Sequence, residues 1–125
     1  MPKVILDTNF IMACVRNKID FLEDLPYLGF QILIPKQVFA ELDSITRSKQ
    51  KLHSKDDAYL AIRILEQGEE NFEEIDLKGS YLDNALVEYA KQHREVVIAT
   101  LDQNLKSKIS NQKLVIREGK RFEVV

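Results

Sequence analysis

The feature that most restricts this chain is an alternation: short apolar runs of strand length separate longer segments whose apolar residues recur at helical spacing. The first run, Val4-Ile5-Leu6 within residues 3–7, ends on Asp7 and passes through Thr8-Asn9 into a helical run over 10–15. A short helical piece over 21–25 precedes a second strand over 30–34, bounded by Gly29 and Pro35. Pro35 suits the first turn of a helix over 35–45, in which Val38, Leu42 and Ile45 fall at the i, i+4, i+7 spacing of a buried stripe. Further helices are expected over 55–67, 80–92 and 105–109, and strands over 72–76, 96–100, 114–116 and 122–124, the last entered by a turn at Glu118-Gly119-Lys120. Strands alternating with helices at this spacing predict an α/β fold with a mostly parallel sheet covered on both faces.

At 125 residues, 45% hydrophobic and 30% charged, the chain suits one globular domain over 1–125 that buries its own core. No stretch approaches the roughly 20 apolar residues of a membrane span, and the first residues lack the basic-then-apolar pattern of a signal segment. A soluble, cytoplasmic protein is expected. The single Cys14, set among Ile11, Met12 and Val15, reads as an inert core thiol, and no CxxC pair or His cluster offers a zinc site. The net charge of −2 lacks the basic excess common in nucleic-acid binders, so any such function must come from local charge.

In open parallel sheets the ligand site lies beyond the carboxyl ends of the strands, where strand order reverses. Asp7 and Asp102 each follow such an end. If their strands flank the reversal, both acids face one crevice, which Glu41 and Asp83 can enter from helices that follow strands. Simpler accounts compete: Asp102 can cap the helix at Leu105, and Ser80-x-x-Asp83 matches a capping box. Glu41 has the weakest simple account, because it sits between Val38 and Ile45 at the edge of a core stripe, where an unpaired carboxylate is costly.

Carboxylates gathered this way need relief, since two unit charges roughly 5 Å apart at an effective dielectric near 20 repel by about 3 kcal/mol. Protons or cations must supply it, and no Lys or Arg adjoins any of the four acids in sequence. All-oxygen ligands select Mg²⁺ or Mn²⁺ over zinc. Such ions activate water and bind phosphate oxygens, which suits phosphodiester hydrolysis without a protein nucleophile.

Four blocks, Leu6-Asp7-Thr8-Asn9, Val38-x-x-Glu41-Leu42, Tyr81-x-Asp83-Asn84-Ala85 and Ala99-Thr100-Leu101-Asp102, in this order and spacing resemble the PIN-domain family over nearly the whole chain. The resemblance implies a three-layer α/β/α fold and metal-dependent endonucleolytic cleavage of single-stranded RNA. By position it gives Asp7, Glu41, Asp83 and Asp102 as metal-binding, catalytic acids, with Thr8, Asn9 and Thr100 orienting them. Many members carry a further Asp where this chain has Asn104, which can ligate or orient but supplies no charge; one firmly held metal is expected, with a second arriving alongside substrate. The blocks are closer to the PIN nucleases of ribosomal RNA processing than to VapC-type toxins.

RNA is the expected partner, with a protein partner or antitoxin and a homodimer as further options. Arg47, Lys49, Lys51 and Lys55 form a basic run expected to join two helices as a mobile arm that contacts phosphates, or simply as a solvated loop. Lys106 and Lys108 follow the acidic site and can hold the strand that is cut, or serve as ordinary surface cations. The acids from Glu66 to Asp76 should repel RNA and are expected on a face away from it. His93 reads as structural. Two other functions compete: a catalytically silent PIN module that binds RNA or protein, and a phosphoacceptor domain, which shares the topology but pairs acids after its first strand, where this chain has Thr8-Asn9.

Overall fold

The computed structural model describes residues 1–49, 51–118 and 120–125. Gly119, in the expected final turn, lies outside the described residues. The elements run β1 (Lys3–Leu6), α1 (Thr8–Arg16), α2 (Phe21–Tyr27), β2 (Gln31–Pro35), α3 (Lys36–Thr46), α4 (Leu52–Gln67), a 3₁₀ turn (Glu69–Asn71), β3 (Phe72–Ile75), α5 (Leu82–Gln92), β4 (Val97–Ala99), α6 (Gln103–Ser107), β5 (Lys113–Arg117) and β6 (Arg121–Val124).

The six strands form one sheet in the order β3-β2-β1-β4-β5-β6. β1 pairs in parallel with both β2 and β4, placing Leu6 opposite Ala99, and only β6 runs antiparallel, against β5. The chain winds outward from β1 through β2 to β3, then returns to β1's other side with β4, so the order reverses between β1 and β4. The expected α/β/α architecture with a mostly parallel sheet is observed.

The central strands read as apolar runs because both of their faces are covered. Val4, Ile5, Leu6, Ile32, Leu33, Ile34, Val97, Ile98 and Ala99 are all buried, against Phe10, Leu42, Leu65 and Leu86 from the helices. Buried Cys14 has its thiol pKa pushed up to about 12 by burial and by nearby Asp24, so it is an inert core residue as expected. Phe122 of β6 stacks on Phe10, ring centroids 5.9 Å apart, fastening the last strand to α1. His93 ends α5 and stacks on Tyr89 at 4.1 Å, which is a structural role. Among the described residues no helix is long and apolar enough to cross a membrane.

Three local expectations are corrected. Pro35 closes β2 and stands as the N-cap of α3, with φ −63° and ψ 140°, rather than inside its first turn. The helix expected from 55 begins at Leu52, so Lys55 is helical and the expected basic arm is shorter. The Ser80-x-x-Asp83 capping box does not form: α5 starts at Leu82 with Tyr81 as N-cap, and no side chain caps it.

Candidate active site

Leu6 is the last residue of β1 and Ala99 of β4; the Asp7 N–H donates to the Ala99 carbonyl at 3.1 Å, locking the two strand ends together. Asp7 is 4% exposed. It doubles as the N-cap of α1, its Oδ1 accepting from the Phe10 N–H at 2.7 Å, because an extended residue ahead of a helix leaves orphan N–H groups for a short acid to satisfy. Burial raises its pKa to about 6; hydrogen bonding to Thr100 and to the Phe10 N–H pulls it down, while Asp83 and Glu41 push it further up. Asp83 and Glu41 therefore lie within electrostatic reach of Asp7.

Each acid is held by neighbours. Glu41 accepts a hydrogen bond from the buried Thr8 hydroxyl at 2.5 Å, across 33 positions of sequence. Its carboxylate is exposed, so desolvation is not what distinguishes it, contrary to the expectation from the core stripe. Asp102 caps α6, its Oδ1 accepting from the Asn104 and Leu105 N–H groups at 2.9 and 3.4 Å. The simpler account of Asp102 is thus real, and it leaves the second carboxylate oxygen for another role. Thr100, fully buried, links the two strand-end acids: its Oγ1 accepts from the Asp102 N–H at 3.1 Å, and its hydroxyl is the hydrogen-bonding partner that lowers the Asp7 pKa. Asp83, in the first turn of α5, is exposed, and among the described residues its side chain has no hydrogen-bond or ion-pair partner.

Among the described residues no group of three or more Asp, Glu, His or Cys side chains is placed so that it could hold a metal ion. Asn104 steadies Asp102 through its backbone N–H, not through its side chain. Asn9 is exposed, its side chain has no hydrogen-bond partner among the described residues, and it lines a cleft beside the acids.

Of the cations, Arg47 pairs with Asp43 at 2.7 Å, which commits it locally. Lys51 is the N-cap of α4, Lys55 lies in its first turns, and Lys49 is exposed before it. Lys106 is half-buried on α6 and Lys108 is its exposed C-cap. The acidic run surrounds β3, at the sheet edge two strands from β1, where Glu66, Glu69, Glu70 and Glu74 line one groove.

Sequence reasoning missed Asn111, whose buried amide donates to the carbonyls of His93 and Val96 at 3.0 and 2.9 Å and so fixes the approach to β4. A lone Asn in a loop carries no periodicity that would have revealed it. Tyr81, the N-cap of α5 two residues before Asp83, is 76% exposed.

Residues 4–118 match the family described as PIN like domain. The chain is 31% identical to ribonuclease VapC4 of Methanocaldococcus jannaschii over 130 aligned positions, covering 99% of this chain and 97% of that protein. It is 35% identical to the rRNA-processing protein fcf1 of Schizosaccharomyces pombe over 108 positions, covering 85% of this chain; there it spans about half of its relative, 52%. The solved structure of the PIN domain endonuclease Utp24 superposes with a TM-score of 0.76 at 30% identity, over 98% of this chain and 92% of that one. The VapBC2 complex of Rickettsia felis, at 16% identity and a TM-score of 0.56, shares the fold over 92% of this chain and 99% of that one.

Proposed function

The chain belongs to the PIN-domain family of nucleases, and on that premise we propose that it is a metal-dependent endoribonuclease that cuts single-stranded RNA, with ribosomal RNA processing as its setting. The observation that carries this reading is Asp7: a carboxylate buried at the strand-order reversal, its pKa raised to about 6 in part by Asp83 and Glu41. A cluster that holds a proton near neutral pH is one whose charge a cation can relieve.

The donor set fits a hard ion. Asp7, Glu41, Asp83 and Asp102 offer only oxygen, and the open arrangement suits Mg²⁺ or Mn²⁺, which bind through one or two carboxylates and retain water and phosphate as other ligands. When bound, the ion would supply an activated water and neutralise charge at the phosphate. With Asn104 in place of a further acid, the residues would hold one ion firmly, and a second would need ligands from the substrate.

The chain's own residues position and hold. Thr8 steers Glu41, Thr100 ties Asp7 to Asp102, and the Asn104 and Leu105 amides hold one carboxylate oxygen of Asp102. Lys51, Lys55, Lys106 and Lys108 attract the phosphate backbone locally on a chain whose net charge is −2. The test is cleavage of a single-stranded RNA with Mn²⁺: Asp7→Asn and Asp102→Asn each remove activity while circular dichroism stays native. Activity retained in both variants overturns the reading.

A second reading, a toxin ribonuclease neutralised by an antitoxin protein, is favoured by one observation, the match to VapC4 over 97% of that relative. Growth arrest on expression of the wild-type chain but not of Asp7→Asn supports the toxin reading; normal growth with an active enzyme removes it.

A further inference from the structure

Beside the acids lies a cleft of about 350 Å³, lined by Asn9, Met12, Ile45, Ser54 and Leu101. Its volume falls within the roughly 300–1,000 Å³ of small-molecule sites. Three of its walls grow from the segments that carry the acids. Asn9 is two residues beyond Asp7 at the start of α1, Leu101 directly precedes Asp102, and Ile45 is one helical turn beyond Glu41 on α3. The fourth wall is the first turn of α4, where Ser54 lies between Lys51 and Lys55.

The lining has the chemistry of a flat heterocycle's site. Met12, Ile45 and Leu101 supply apolar surface for a ring face, while the Asn9 amide supplies a donor and an acceptor for a ring edge. Among the described residues, neither the Asn9 amide nor the Ser54 hydroxyl has a hydrogen-bond partner within the chain. Arg16, also at the cleft, is committed to Asp57 through its Nε at 3.0 Å. The unpaired polar groups therefore belong to α1 and α4, on either side of the apolar surface.

We infer that this cleft receives the base of the nucleotide next to the scissile phosphate, with Asn9 and Ser54 reading its edge and Lys51 and Lys55 beside its phosphate. The inference rests on the nuclease reading for the identity of the strand, and it makes the enzyme selective for a base at one position flanking the cut. Asn9 is then a specificity residue.

The test is an abasic scan. A short fluorescein-labelled single-stranded RNA, with the base removed at one position at a time, is titrated by anisotropy in EDTA against wild type, Asn9→Ala, Ser54→Ala and Ile45→Trp, the last filling the cleft. One abasic position is expected to weaken wild-type binding about tenfold, and that loss should shrink in the first two variants and vanish in Ile45→Trp. Melting curves verify that each variant is folded, and because three walls are altered separately, the failure of one leaves two to decide. A flat scan in wild type, absence of binding, or a loss unchanged in all folded variants overturns the subsite. Parallel Mn²⁺ cleavage of the intact RNA separates the two readings: cutting with a flat scan keeps the nuclease and removes the subsite, whereas the expected scan without cutting keeps the subsite and removes the nuclease.

Discussion

Replacing Asp7 by Asn should stabilise the metal-free protein while abolishing its activity. The carboxylate titrates at 3.8 in an unfolded chain and at about 6 in the fold, where burial is the largest cause of the rise. Between those values the unfolded chain binds fewer protons than the folded one, so stability falls as pH rises, and the loss is complete above about pH 6. At about 1.36 kcal/mol per pH unit, ionised Asp7 costs the fold about 3 kcal/mol at neutral pH. Asn has the shape of the protonated acid and caps a helix as well as Asp, so the bond from the Phe10 N–H to the side chain survives. In EDTA at pH 7.5, Asp7→Asn should therefore unfold about 10 °C higher than wild type, and below pH 4 the two should melt together. Carboxylates remote from Asp7 titrate alike in both proteins and cancel in the difference; Asp83 and Glu41, which act on Asp7, lose that repulsion in the variant and add to its advantage. Millimolar Mn²⁺ should narrow the gap by raising the wild-type transition and leaving the variant's nearly unchanged. Thermal and urea melts from pH 4 to 8, with and without Mn²⁺, provide the measurement. A wild type as stable as the variant at pH 7.5 in EDTA, or a difference that does not change with pH, would refute the reasoning.

Three further outcomes are expected. Thr8→Val removes the hydroxyl that holds Glu41, and loss of such a supporting partner should weaken Mn²⁺ affinity by about 10- to 100-fold, read from metal-dependent melting at pH 7.5. Asn111→Ala leaves the His93 and Val96 carbonyls without their donor; urea unfolding should show a loss of about 2 kcal/mol with cleavage unchanged per folded molecule. Cys14, with its thiol pKa pushed up to about 12, should resist alkylation at pH 8 in the native protein and react once urea unfolds it, as followed by mass spectrometry.

The strand-end acids were legible in sequence because their signal is local. Val4-Ile5-Leu6-Asp7 and Val97-Ile98-Ala99-Thr100-Leu101-Asp102 each state, within six residues, a buried strand and the acid that follows it. Element existence was legible for the same reason, while boundaries moved where caps decided them. No periodic signal announced that α4 starts at Leu52, and Ser80 offered a capping box that the chain does not use.

Glu41 marks the limit of that reasoning. Periodicity put it beside a core stripe, yet the helix turns it outward and Thr8 holds it. Sequence spacing along one helix fixes the angle between residues and not which side of the stripe the sheet covers. The same limit applies to Asn9: its motif position resembles an orienting residue, and only the tertiary packing sets it on a cleft with Ile45 and Leu101.

Sequence alone determined the α/β class, the parallel core and the pairing of an acid with each central strand end, since these follow from hydrophobic period and local chain direction. Tertiary structure decided which acids sense one another, through Asp83 and Glu41 acting on Asp7, and which threonine holds which carboxylate. Those outcomes depend on the crossover that sets β4 beside β1, and contacts across more than 30 residues of chain leave no periodic trace in the sequence that makes them.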